Sequence, residues 1–153
     1  MNIIGLQKMT LLDYPGRVAC TVFLQGCNFK CPFCYNSSLI KSDNDNFMSF
    51  DEFFAFLDKR KNLLDGVAIT GGEPLLNKDI KPFIKKIKEK GFLVKLDTNG
   101  SYPEVLEELL QENLIDYVAM DIKNTYEKYS ITTNSNVDLK KIQKSVSILL
   151  NSS

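Results

Sequence analysis

The sequence predicts an α/β fold built on a parallel sheet, and three observations carry that expectation. Short runs rich in β-branched and aromatic residues alternate with longer segments whose apolar residues recur at helical spacing. Each run is followed by one such segment, the order that a strand, a crossover helix and the next parallel strand require. The motifs able to carry chemistry fall directly after the runs, where the strand ends of a parallel sheet place ligands. The 153 residues fit a single domain over 1–153, short of the roughly 250 residues of a complete eight-unit barrel.

The elements follow in order. Arg17 to Leu24, RVACTVFL, reads as a buried strand that feeds Gly26-Cys27. After the polar stretch KSDNDN, read as a surface loop, Ser49-Phe50-Asp51-Glu52 has the S-x-x-E form of a capping box. It opens a helix to about Arg60 with Phe53, Phe54 and Leu57 on one face. Gly66 to Thr70 is the second strand. Ile80, Phe83, Ile84 and Ile87 line a helix that stops at Gly91, and the lysines between Lys81 and Lys90 form its solvated face. Phe92 to Asp97 is the third strand; Pro103 suits the first turn of a helix carrying Val105, Leu106, Leu109 and Leu110. Tyr117 to Asp121 is the fourth strand, expected at the border of the sheet with an open outer edge. The polar connection NTYEKYSITTNSN leads to Asp138, an N-cap for a last helix with Leu139, Ile142, Val146 and Leu149 facing inward.

Composition removes several function classes. Nineteen basic and nineteen acidic residues give zero net charge, so no global field recommends a nucleic acid or an acidic membrane as partner. No apolar run approaches the roughly 18 residues of a membrane span. The start MNIIGLQKMTLLDYPG lacks the pattern of a secretory signal, which points to the cytoplasm and to reduced cysteines. The absence of histidine excludes Ser-His-Asp and Cys-His nucleophile systems, His-ligated zinc and His general bases together.

Three of the four cysteines cluster. Cys27-Asn-Phe-Lys-Cys31-Pro-Phe-Cys34 has the spacing C-x3-C-x2-C, which lets one loop present three soft thiolates to an iron–sulfur cluster while one iron keeps no protein ligand. Electron-transfer ferredoxins close their clusters with four cysteines, and structural zinc needs a fourth ligand that only Cys20 or a carboxylate can supply here. Cys20 lies inside a strand and reads as a small buried hydrophobe. A non-catalytic iron–sulfur carrier or redox sensor stays open if a carboxylate or an external thiol completes the cluster.

At these residues the sequence resembles the radical S-adenosylmethionine enzymes, whose hallmark is C-x3-C-x-aromatic-C; Phe33 supplies the aromatic. Thr70-Gly71-Gly72-Glu73-Pro74 follows the second strand as the GGE motif does in that family, where its main chain binds the amino group of the cofactor's methionine. Taken alone, a Gly-Gly pair is equally a turn. The resemblance narrows to the activating enzymes of glycyl-radical proteins, especially those of anaerobic ribonucleoside-triphosphate reductase. It runs through GLQKMTLLDYPGRVACTVFLQGCNFKCPFCYN, LDTNG (96–100), MDIK (120–123), EKYSITT and DLKKIQKSVSILL.

The resemblance implies a partial (βα) barrel with an open parallel sheet, C-terminally incomplete beside longer members that continue with further βα units. It implies a [4Fe–4S] cluster on Cys27, Cys31 and Cys34, and S-adenosylmethionine contacted by Phe33, Thr70, Gly71, Gly72, Glu73, Asp97, Thr98, Asn99 and Lys123. A monovalent cation on Asp97, Thr98 and Asp121 is also implied, since oxygen ligands suit a hard cation. Read without the resemblance, Asp97 and Asp121 cap turns, Lys123 is solvated, Phe33 keeps water from a cluster, and Tyr14 of Asp13-Tyr14-Pro15-Gly16 packs beside a turn.

The implied reaction is reductive cleavage of S-adenosylmethionine and removal of a hydrogen from a glycine of a partner enzyme, with the electron coming from a flavodoxin- or ferredoxin-type donor. Modification of a small molecule is the alternative within the same class. Gly72→Val is expected to impair cofactor binding more than cluster assembly. The chain departs from its relatives at Thr132-Thr133-Asn134, where they often carry a glycine after the LT-like pair.

Overall fold

The computed structural model describes residues 1–40 and 47–152, and the KSDNDN stretch lies outside them. A five-stranded sheet in the order β1-β2-β3-β4-β5 forms the frame. Its strands are β1 (Ile3–Thr10), β2 (Ala19–Leu24), β3 (Gly66–Gly71), β4 (Leu93–Thr98) and β5 (Tyr117–Met120). The helices are α1 (Ser37–Ile40), α2 (Phe50–Asp58), α3 (Ile80–Glu89), α4 (Pro103–Gln111), α5 (Tyr129–Thr133) and α6 (Leu139–Asn151).

Strands β2 to β5 pair in parallel, as their alternation with helices requires. Strand β1 corrects the four-strand expectation: it runs antiparallel to β2, with irregular register between Ile3 and Gly5 and between Gln7 and Thr10. It occupies an edge and buries only its two ends, so its sequence shows neither a continuous apolar run nor a clean alternation.

Side chains alternate across each strand, and the register sorts them into two faces. Cys20, Val22 and Leu24 of β2, Val67 and Ile69 of β3, and Val94 and Leu96 of β4 join Phe53, Leu57, Ile84, Ile87, Leu106 and Leu109 in one core. The rings of Phe53, Phe54 and Phe83 lie 5.4–5.6 Å apart where α2 meets α3. The lysines of α3 do line its solvated side, reaching Glu108, Glu112, Asp116 and Asp58, pairs that contribute little at such exposure. On the opposite face the register aligns Thr21, Ala68, Lys95 and Tyr117 across four strands.

Local signals match the expected boundaries. Ser49 and Glu52 form the reciprocal capping box of α2, Asp138 accepts the Lys140 N–H at the start of α6, and Gly91 takes a φ of 89° after α3. Asn134 ends α5 with a φ of 46°, so asparagine adopts the left-handed conformation that a glycine would otherwise supply. The last helix differs from expectation, because Leu139, Val146 and Leu149 are only half-buried and Ser145 is fully buried beside Ile142. A buried serine needs a partner, and its hydroxyl donates to the Gly100 carbonyl at 2.7 Å, which ties α6 to the loop after β4. Strand β5 is the other edge and is half-exposed, with Tyr117 43% accessible. No described helix is long and apolar enough to cross a membrane.

Candidate functional site

Four parallel strands end at one rim, and the loops that follow them enclose a cavity of about 490 Å³. Its wall brings together Cys27, Cys31, Phe33 and Cys34 after β2, Thr70, Gly71 and Gly72 at the end of β3, Asp97, Thr98 and Asn99 at the end of β4, and Asp121 and Lys123 after β5. Of the site residues expected from sequence, Glu73 alone is not on this wall; it is fully buried.

The cysteine loop is held by groups from three directions. Asn36 Nδ2 donates to the Gly71 carbonyl at 3.2 Å, which fixes the loop's far end to β3. Asn28 Nδ2 donates to Ser101 Oγ and Asn99 Nδ2 donates to Asn28 Oδ1, both at 2.9 Å, which fixes its start to the loop after β4. The Lys30 N–H donates to the Thr133 carbonyl at 3.0 Å and lies 3.1 Å from Ser135 Oγ, which fixes its middle to the end of α5. Asn28, Asn36, Ser101 and Thr133 were not among the residues expected from sequence. Asn99 proves to be a brace, since its carbonyl also accepts from the Ser101 N–H and hydroxyl.

Close main-chain approach explains the glycines. The Gly72 N–H donates to Leu24 O at 2.9 Å and the Glu73 N–H to Gly26 O at 2.8 Å. A Cβ on Gly72 would lie 1.9 Å from the Gly26 carbonyl oxygen, and one on Gly71, which has a φ of 116°, would lie 2.4 Å from Leu24 N and O. Both glycines are thus required by the neighbouring chain as well as by any ligand.

Glu73 acts beneath this contact as a clamp between strand ends. Its carboxylate accepts from the Thr98 hydroxyl at 2.8 Å, the Asn99 N–H at 2.7 Å and the Leu75 N–H at 3.0 Å. Burial lifts the carboxyl to about 7, against these hydrogen bonds, which favour the ionised form. A carboxyl raised above its unfolded value near 4.5 binds more protons in the folded than in the unfolded chain between those values. Its contribution to stability therefore falls as pH rises from 4.5 to about 7, by up to ~3 kcal/mol. In urea denaturation Glu73→Gln is expected to lack this part of the pH slope. An unchanged slope would remove Glu73 as the titrating group.

The carboxylates on the wall have chain partners. Lys95 Nζ pairs with Asp97, and Lys123 Nζ with Asp121 at 2.9 Å. The Thr98 hydroxyl donates to Glu73 and accepts from the Gly100 N–H. The oxygens that would hold a monovalent cation are paired here with ammonium and hydroxyl groups of the protein. Burial pulls Lys123 down, yet the hydrogen bond and charge of Asp121 leave it above the ordinary lysine value.

The cysteine surroundings fit an iron–sulfur cluster. Burial raises the Cys27 and Cys31 thiols, a cost that a cationic metal centre reverses by binding the thiolates. Phe29, Tyr129 and Ile142 form an apolar cluster against Cys27 and Cys31. Within it the Tyr129 hydroxyl passes near the Lys123 main chain, yet it has no hydrogen-bond partner of normal geometry among the described residues. A buried donor beside the thiols suits a site where sulfur acceptors bind. Cys20 stands apart in the helix-side core, its thiol pushed by burial to about 12.

Fold and site together define a class: an α/β protein that presents three thiols and a glycine-rich strand end at the C-terminal rim of a parallel sheet. The chain belongs to the Radical SAM superfamily, whose family model matches residues 21–152. Enzymes of this superfamily use a [4Fe–4S] cluster and S-adenosylmethionine. A protein of Methanocaldococcus jannaschii named as a glycyl-radical enzyme activating enzyme is 39% identical over 143 residues, covering 93% of this chain and 58% of that relative. The pyruvate formate-lyase-activating enzyme of Listeria monocytogenes is 33% identical over 148 residues, covering 88% and 59%. The chain thus spans less than two thirds of each. The crystal structure of QueE from Escherichia coli shares the fold with a TM-score of 0.58 at 19% identity, over 94% of this chain and 67% of that one.

Proposed function

We propose that the chain is the cofactor-binding unit of a glycyl-radical enzyme activase whose protein substrate is anaerobic ribonucleoside-triphosphate reductase. The observation that carries the reading is the convergence on one cavity of the cysteine loop, the TGG strand end and the loops after β4 and β5. The relatives named as activating enzymes support it.

In this reading Cys27, Cys31 and Cys34 hold the cluster and leave one iron to the cofactor. When bound, the cluster and S-adenosylmethionine would supply the one-electron chemistry that removes a hydrogen from a partner glycine, with a flavodoxin- or ferredoxin-type protein as the electron donor. The residues of the chain position and shield. The N–H groups of Gly72 and Glu73 are already donated to Leu24 and Gly26, so this strand end offers a ligand acceptor oxygens, the partners an amino group needs. Lys123 offers a half-buried positive charge to a carboxylate. Phe33, 60% exposed on the wall, gives an aromatic face to a planar base.

Anaerobic reconstitution, reduction and incubation with S-adenosylmethionine and the candidate reductase test this reading by electron paramagnetic resonance. The expected result is a protein-based doublet on the partner, with methionine and 5′-deoxyadenosine released. Cofactor cleavage that leaves every glycyl-radical partner silent, but transfers hydrogen from a small molecule, would assign the chain to the other branch of the class.

A further inference from the structure

Lys95 is a buried lysine beside the cavity, its side chain 9% exposed, and its ammonium pairs with Asp97. The two residues are two apart on β4, so their side chains share a face of the sheet. Their strand places Lys95 opposite Ala68 of β3 and Tyr117 of β5, and no carboxylate other than Asp97 is paired with it among the described residues. Lysine is seldom buried without an anion, and here the anion is on the cavity wall. The second wall carboxylate, Asp121, has its own ammonium from Lys123. Each of the two wall carboxylates thus has an ammonium partner supplied by the chain itself.

We propose that Lys95 is a tethered counter-ion for Asp97, which lets the cavity bind S-adenosylmethionine without a free monovalent cation. The inference rests on the reading of the cavity given above. Lys95 is a positioning residue: it acts through Asp97 by fixing the carboxylate's orientation and cancelling its charge. Removal of the ammonium leaves one uncompensated negative charge at the wall. A univalent ion of similar size, such as potassium, then takes the position the ammonium held.

Calorimetric titration of the reconstituted protein with S-adenosylmethionine, in potassium or in the bulkier tetramethylammonium salt, tests this. The wild-type protein is expected to bind equally in both. Lys95→Met is expected to bind about tenfold or more weakly in tetramethylammonium and to recover in potassium. Lys95→Arg, which keeps the charge, is expected to behave as wild type, and Lys95→Gln as Lys95→Met with a donor retained in the same space. A purely structural role for Lys95 gives no ion-specific recovery. Potassium-dependent binding by the wild type, or identical affinities for Lys95→Met in the two salts, would overturn the inference while leaving the cavity assignment standing. Failure of the wild type to bind in either salt would overturn both.

Discussion

Gly72→Ala is expected to take up little iron on anaerobic reconstitution and to bind S-adenosylmethionine poorly, the two losses appearing together. The added methyl would lie 1.9 Å from Gly26 O, 2.5 Å from Gly26 C and 3.2 Å from Cys27 Cβ. The obstacle is main chain directly before the first cysteine, so no flexible side chain can move aside. The strand end and the cysteine loop, now joined by hydrogen bonds of 2.8 and 2.9 Å, must separate. The sequence alone suggested that a side chain at Gly72 spares cluster assembly; contact with Gly26 couples assembly to binding. Gly16 provides the control. Its φ is 69°, but an added Cβ meets nothing within 4 Å. Gly16→Ala should therefore cost only left-handed strain, about 1 kcal/mol, and keep normal iron. Iron content with circular dichroism as a check on folding decides, and normal iron in Gly72→Ala would remove the coupling.

The parallel part of the fold was legible because buried strands and amphipathic helices carry different periods in the sequence. RVACTVFL and the fourfold pattern of Ile80, Phe83, Ile84 and Ile87 leave little ambiguity, and the capping box at Ser49 marks a helix start through local chemistry. Strand β1 was not legible. Gly5, Gln7 and Lys8 interrupt its apolar pattern, and its pairing with β2 buries little more than Ile3 and Thr10. Ser145 was hidden for a related reason: helical spacing selects apolar residues, whereas this position is buried to reach the Gly100 carbonyl.

At the site, thiol spacing and paired glycines are local signals, and both lie on the cavity wall. The braces are long-range. Asn28 meets Ser101 across 73 positions and Lys30 meets Ser135 across 105, distances over which no periodicity carries information. Glu73 reads as part of a ligand motif, but in the structure two of its hydrogen bonds join β3 to the end of β4 and a third caps the turn that follows β3. Lys95 had a legible signal, since residues two apart in a strand share a face. The alternation that placed Asp97 at the mouth also places Lys95 beside it.

We propose that three thiols of one loop, and not the fourth cysteine, hold the cluster. Cys27, Cys31 and Cys34 line the cavity, and their loop is braced to β3, β4 and α5. Cys20 is fully buried in the core shared with Val22, Leu24 and Val67, away from the cavity that the other three cysteines line. The most direct measurement is the iron and sulfide content of the four single Cys→Ala proteins after anaerobic reconstitution, with the spectrum of the reduced cluster recorded before and after S-adenosylmethionine is added. Cys27→Ala, Cys31→Ala and Cys34→Ala are predicted to lose the cluster, while Cys20→Ala keeps it and its spectrum changes with the cofactor as the wild type's does. Loss of the cluster in Cys20→Ala, or a full cluster in any of the other three, would contradict the account.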